Sequence, residues 1–222
     1  LCIPQAEPGR CQAAILQHHE RVDGMGYPLG VSGKAMSPVA NLLALAEMGA
    51  AMRGRGCPLH RIDIALKIVP HEFDPAMVHL ICGFLDEQWG RFEESPPTSD
   101  TTADVHEIAT RIAKTWELRG EWDRTHPFSH ASQAMIDVIF ERFVRVHRAF
   151  ASTGLDSLES LLPELEGVAL REVGMESSCV LDEILWRLTR LSRDLALKSQ
   201  NLVESESREA LRLVSILAGQ TS

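Results

Sequence analysis

Residues 18–30 read HHERVDGMGYPLG. Two adjacent imidazoles, His18 and His19, are followed by the carboxylates of Glu20 and Asp23 and by Tyr27, the single tyrosine of the chain. Imidazole nitrogens and carboxylate oxygens are the donors that first-row divalent cations take. Adjacent side chains on a helix diverge by about 100°, so the pair is expected to face two closely spaced metals rather than to chelate one. Gly24 and Gly26 permit positive φ or close backbone approach, which lets a loop come up against a phosphate-bearing ligand. Tyr27 can stack on a base or donate its hydroxyl.

HHERVDGMGYP resembles the HHExxDGxGYP signature of HD-GYP domains, bacterial metal-dependent phosphodiesterases that hydrolyse cyclic di-GMP, and every fixed position is present. The text that follows is similar too. LGVSGKAMSPVANLLALAE resembles the family's G-x-x-G-x-x-I-x-x-x-A-R-I-L-x-x-A-D, and HEFDPAMVHLICGFL resembles its F-D-P-x-x-V helix. The resemblance covers roughly residues 1 to 86. It implies that His18, His19 and Glu47 ligate metal, with Glu47 standing where the family has Asp. It implies two or three iron or manganese ions, a site only partly present here because the family's His-Asp dipeptide lies upstream of this motif. Tyr27 matches the tyrosine beside the substrate. Glu20, Asp23, Gly24, Gly26 and Pro28 complete the loop, Asp23 as an orienting group for the loop or a ligand histidine. No residue is assigned as catalytic acid, base or nucleophile. The family's R-P-Y-R/K segment, which holds substrate phosphates, reads MRGRGCPLHR here. Arg55 is the candidate for that role, with Arg53 and Arg61 as alternatives, and none aligns cleanly.

The elements that must position these residues read as helices throughout, an all-α fold with no strand pattern. Residues 1–10 read as a loop, Cys11 to about Val22 as a helix, and DGMGYPLGVSGKAMSP, with four glycines and two prolines, as a loop. Ser37-Pro38 opens a helix expected to be largely buried, with Glu47 in an otherwise apolar run, where a carboxylate needs a cationic partner. LHRIDIALKIVP gives a short helix, and Asp74-Pro75 starts another through Leu85. RFEESPPTSDTTAD marks a linker. Three domains of text result: 1–90 as the C-terminal half of an HD-GYP-like helical domain, 91–103 as linker, and 104–222 as a separate helical bundle of unassigned role. In the bundle, helices are expected over Asp104–Arg119, Phe128–Ala151 and residues 155–170, followed by a long amphipathic stretch from about Ser177. Leu181, Ile184, Leu188, Leu191, Leu195 and Leu202 nearly follow heptad spacing there, which fits a bundle helix or the seam of a homodimer or protein partner.

The chain has 222 residues, 45% hydrophobic and 24% charged, with a formal net charge of −9. That balance argues against DNA and anionic membranes as partners. Five cysteines without a CxxC pair read as reduced thiols in the cytoplasm. No apolar run approaches the ~20 residues that span a bilayer. The start at Leu1 is expected to reflect a fragment or a processed chain. Two functions compete, beside a weaker third, a phosphohydrolase of the wider HD superfamily with a different substrate. One is a phosphodiesterase acting on cyclic di-GMP or a related cyclic dinucleotide in signalling. The other is a degenerate module that binds a nucleotide or a protein partner without turnover. His71, Glu72, His79 and His147 are expected to be solvated or packing residues rather than ligands.

Overall fold

The computed structural model describes residues 8–54, 57, 59–89, 101–155 and 175–220. Among them are eight α-helices, one 3-10 turn (Gly33–Ala35) and no strand. The chain divides into two units, Leu1–Ser95 and Pro96–Ser222.

The first unit holds α1 (Pro8–Gln17), α2 (Pro38–Gly54), α3 (Leu59–Lys67) and α4 (Pro75–Trp89). α1 packs on α2, and α2, α3 and α4 pack on one another. Their apolar faces meet in a core of Ala44, Leu45, Met52, Ile62, Ala65, Leu66, Phe73 and Cys82. Burying side chains of this size is worth ~1.5–3 kcal/mol each for the larger ones, before entropy is charged against it. α4 starts as its sequence dictates: the Asp74 carboxylate accepts the amides of Ala76 and Met77 at 3.0 and 3.1 Å, with Pro75 at the first helical position.

Three expectations change here. α1 begins at Pro8, inside the expected loop, and stops at Gln17 rather than near Val22. α2 is only half-buried. Ala40, Asn41, Ala44, Leu45 and Met52 face inward, while Val39, Leu42 and Leu43 are exposed. An Ala- and Leu-rich composition raises helix propensity without saying which face is covered. α4 continues past Leu85 to Trp89.

The second unit holds α5 (Thr101–Thr125), α6 (His130–Ser152), α7 (Met175–Ser199) and α8 (Glu204–Leu217). α5 runs beyond both ends of the expected Asp104–Arg119. The long amphipathic stretch is two helices, turned at residues 200–203 and packed on each other. Leu181, Ile184, Leu188, Leu191 and Leu195 are buried within this unit, where α7 meets α5, α6 and α8. Leu202 lies in the turn. The expected helix over residues 155–170 and the linker up to residue 100 lie outside the described residues.

Buried polar groups fasten the bundle at helix ends. The Arg111 guanidinium donates to the Leu217 carbonyl at 2.9 Å, satisfying an orphan carbonyl at the end of α8. Glu206 does the reverse at the start of α6. Its carboxylate accepts the Ser129 amide and the Ser132 hydroxyl, each at 2.7 Å. The Ser129 amide first, then the Ser132 hydroxyl, holds the Glu206 carboxyl below its ordinary 4.5. A carboxyl depressed in the folded state stabilises the fold above its unfolded value and loses that contribution as pH falls through the folded one. Acid titration of thermal stability is therefore expected to show a decline below about pH 4.5 to which Glu206 contributes. Glu206→Gln should lower stability near neutrality and flatten that decline. A variant as acid-sensitive as the parent would remove Glu206 from this account.

Candidate metal centre

The candidate ligands sit just beyond the end of α1. His18 and His19 occupy the turn after Gln17, and the Glu20 amide closes it by donating to the Gln17 carbonyl at 2.9 Å. His18 Nδ1 lies 2.5 Å from the Ile15 carbonyl, one of the unpaired carbonyls of the last helical turn. A carbonyl only accepts, so Nδ1 carries a proton in this contact, which turns Nε2 toward Glu47. His18 Nε2 is 3.8 Å and His19 Nδ1 3.3 Å from Glu47 Oε2.

Ligand atoms of His18, His19 and Glu47 all lie within 4.8 Å of one another. Among the described residues, no other group of three or more His, Cys, Asp or Glu converges in this way. The expectation that two adjacent histidines face different metals rested on helical geometry, and that premise does not hold. The pair lies in a turn, where the rings come together with centroids 3.9 Å apart. The expectation of a buried Glu47 fails too, because its side chain is 44% exposed. Its orientation comes from the two imidazoles, not from a lack of water. Two imidazole nitrogens and one carboxylate oxygen suit a first-row divalent cation, and three protein ligands leave positions for water or substrate.

The glycine loop folds back on this turn. A Cβ on Gly26 would lie 2.2 Å from the Cα of Glu20, so only glycine fits that crossing. Gly24 takes φ +79°, and Asp23 accepts the Met25 amide at 2.9 Å, fixing the turn between them. Asp23 thus orients the loop directly. The Glu20 carboxylate, 0% exposed, accepts the amides of Leu29 and Gly30 at 2.6 and 3.1 Å. The Tyr27 amide donates to the His19 carbonyl at 3.3 Å. Its ring stacks on the His19 imidazole at 4.6 Å between centroids, yet the residue stays 51% exposed at the rim. Pro28 follows through a cis peptide bond and is exposed. The Gln17 side chain accepts the Ser37 amide at 2.9 Å, which ties the start of α2, and so the helix that carries Glu47, to the end of α1.

Two residues to which the sequence assigned no part in the site belong to this assembly. Arg21 and Glu72 form an ion pair at 3.4 Å, with side chains 11% and 15% exposed. Glu72 is therefore not the solvated loop residue it was expected to be. An Arg three residues after a candidate ligand carries no signal of its own in a single sequence. Of the candidate phosphate-binding arginines, Arg53 donates to the Cys57 carbonyl at 3.1 Å, Arg61 lies on α3, and Arg55 lies outside the described residues.

The crossing at Gly26 gives a direct test. Gly26→Ala should force the loop off Glu20, and tyrosine-specific signals from Tyr27 should move while helix content, read by circular dichroism, stays close to the parent. Unchanged Tyr27 signals would mean that the close approach is not needed.

A family model of the HD domain matches residues 3–68, less than a third of the chain. No curated protein and no solved structure matches. No helix among the described residues is long and apolar enough to cross a membrane. The matched segment, similar to the HD domain, contains His18, His19, Glu47 and the whole glycine loop.

Proposed function

We propose that the chain is part of a bacterial metal-dependent phosphodiesterase of HD-GYP type, hydrolysing cyclic di-GMP or a related cyclic dinucleotide in cytoplasmic signalling. The observation that carries this is the convergence of His18, His19 and Glu47 within 4.8 Å beside an exposed tyrosine stacked on one of them. His18 Nε2, the His19 imidazole and the Glu47 carboxylate would hold divalent iron or manganese. The cation, when bound, supplies Lewis acidity toward a phosphate oxygen and activates a water nucleophile. The Ile15 carbonyl keeps the proton on His18 Nδ1 and so keeps Nε2 a donor to metal. Tyr27 offers its outer face and hydroxyl to the nucleotide from the rim. Glu20 holds the segment after Tyr27 through two amides and so fixes the distance between ring and ligands.

A second reading is a module that binds a nucleotide or a protein partner without turnover. Two observations favour it. Glu47 stands where the family has the shorter Asp, and Arg53 is engaged by the Cys57 carbonyl.

Metal content and hydrolysis separate the two. Protein purified without oxygen is expected to retain iron or manganese by elemental analysis and to convert cyclic di-GMP to linear product. His19→Ala and Glu47→Gln should each lose metal affinity by ~100-fold or more, since even outer-shell changes cost ~10–100-fold. Metal and nucleotide binding without hydrolysis would support the second reading. Metal content unchanged in His19→Ala would overturn the ligand assignment.

A further inference from the structure

The two candidate ligand histidines are half-buried in a turn just beyond the end of a helix, so something must hold their backbone in place. Three contacts converge on that task from one side chain. Arg21 Nη1 donates to the Glu20 carbonyl at 2.9 Å and to the His18 carbonyl at 3.5 Å. Arg21 Nε faces the Glu72 carboxylate at 3.4 Å. Its guanidinium carbon lies 4.9 Å from the centroid of the buried Phe73 ring. The backbone repeats the link, since the Val22 amide donates to the Glu72 carbonyl at 3.0 Å. The turn that carries the histidines is thereby fastened to the segment between α3 and α4, which belongs to the core through Phe73.

We infer that Arg21 is a positioning residue for the metal centre. Its planar fork spans the His18 and Glu20 carbonyls on one side and the Glu72 carboxylate on the other, and so sets the backbone from which both imidazoles project. A lysine offers a point charge and cannot reproduce this spread of donors. The cation–π contact with Phe73 fixes the plane of the fork. Arg21 occupies one of the unspecified positions of HHExxDGxGYP, so the signature assigns it no role. Its effect passes through His18 and His19 onward to Tyr27, whose ring rests on His19.

The metal-dependent half of this inference rests on the proposed metal-binding function, so the test has two independent readouts on the whole chain. Arg21→Met keeps the apolar stem and removes the fork, Arg21→Lys keeps the charge, and Glu72→Gln removes the anchoring charge. In metal-free protein, imidazole nitrogen NMR reports the His18 tautomer. Fluorotyrosine incorporation gives one fluorine signal, because the chain has one tyrosine. Manganese(II) titration reports the site. Arg21→Met is expected to shift the His18 and fluorotyrosine signals and to weaken manganese binding ~10–100-fold. Arg21→Lys and Glu72→Gln should shift the same signals by less. Variants that melt earlier but keep the parent's histidine and fluorotyrosine signals would make Arg21 a merely structural residue and overturn the inference. If the parent binds no manganese, the metal-binding reading fails on its own, and the metal-free signals still decide the role of Arg21. Should Arg21→Met fail to fold, the Arg21→Lys and Glu72→Gln signals decide it.

Discussion

The Glu20 carboxylate is withdrawn from solvent in a small unit whose central cluster is apolar. Water does not solvate it there, and a buried carboxylate without partners is costly. The glycine loop supplies the partners. One oxygen accepts the Leu29 and Gly30 amides, and the crossing of Gly26 over the Glu20 backbone brings those amides within reach. The two requirements depend on each other. Without the crossing the carboxylate is stranded, and without the carboxylate the loop has little to close upon. The position of Tyr27 against His19 follows from this closure, and so does the connection through residues 31–37 to the helix that bears Glu47.

The candidate metal centre is arranged the opposite way, at the surface. Glu47 is half-exposed, so its attraction to the imidazoles is weakened by water and contributes little to folding. An open triad leaves room for a phosphate and for solvent, whereas a buried one would bind a cation as a structural staple. Rigidity is therefore supplied from beneath rather than from within. The Ile15 carbonyl fixes one ring, the Tyr27 ring supports the other, and the Gln17–Ser37 contact registers the two helices.

The second unit uses the same device for another end. Glu206 at the start of α6 and Arg111 at the end of α8 each place a charge where a helix terminus leaves backbone groups unpaired. Its aromatic residues serve packing. Trp122 meets Phe128 and Phe140 edge-on, and His147 accepts the Trp116 indole proton at 3.2 Å. Among the described residues, the cluster of candidate metal donors is confined to the first unit.

The sequence by itself determined the helical class, the start of α4 at Asp74-Pro75, the loop from Asp23 to Ser37 and the candidates His18, His19, Glu47 and Tyr27. These are local properties: proline and glycine set backbone freedom, caps set helix starts, and imidazoles and carboxylates declare their chemistry wherever they stand. What the tertiary structure decided was everything that depends on which surfaces meet. It ended α1 before the histidines, which turned a divergent pair into a convergent one. It left one apolar stripe of α2 exposed, because composition does not say how many neighbours a helix has. It paired Arg21 with Glu72, far apart in the chain, because the α3–α4 turn packs beneath the loop. It also folded the heptad-like stretch of α7 against α5, α6 and α8, since an apolar seam of that spacing fits the interior of a bundle as well as a second chain.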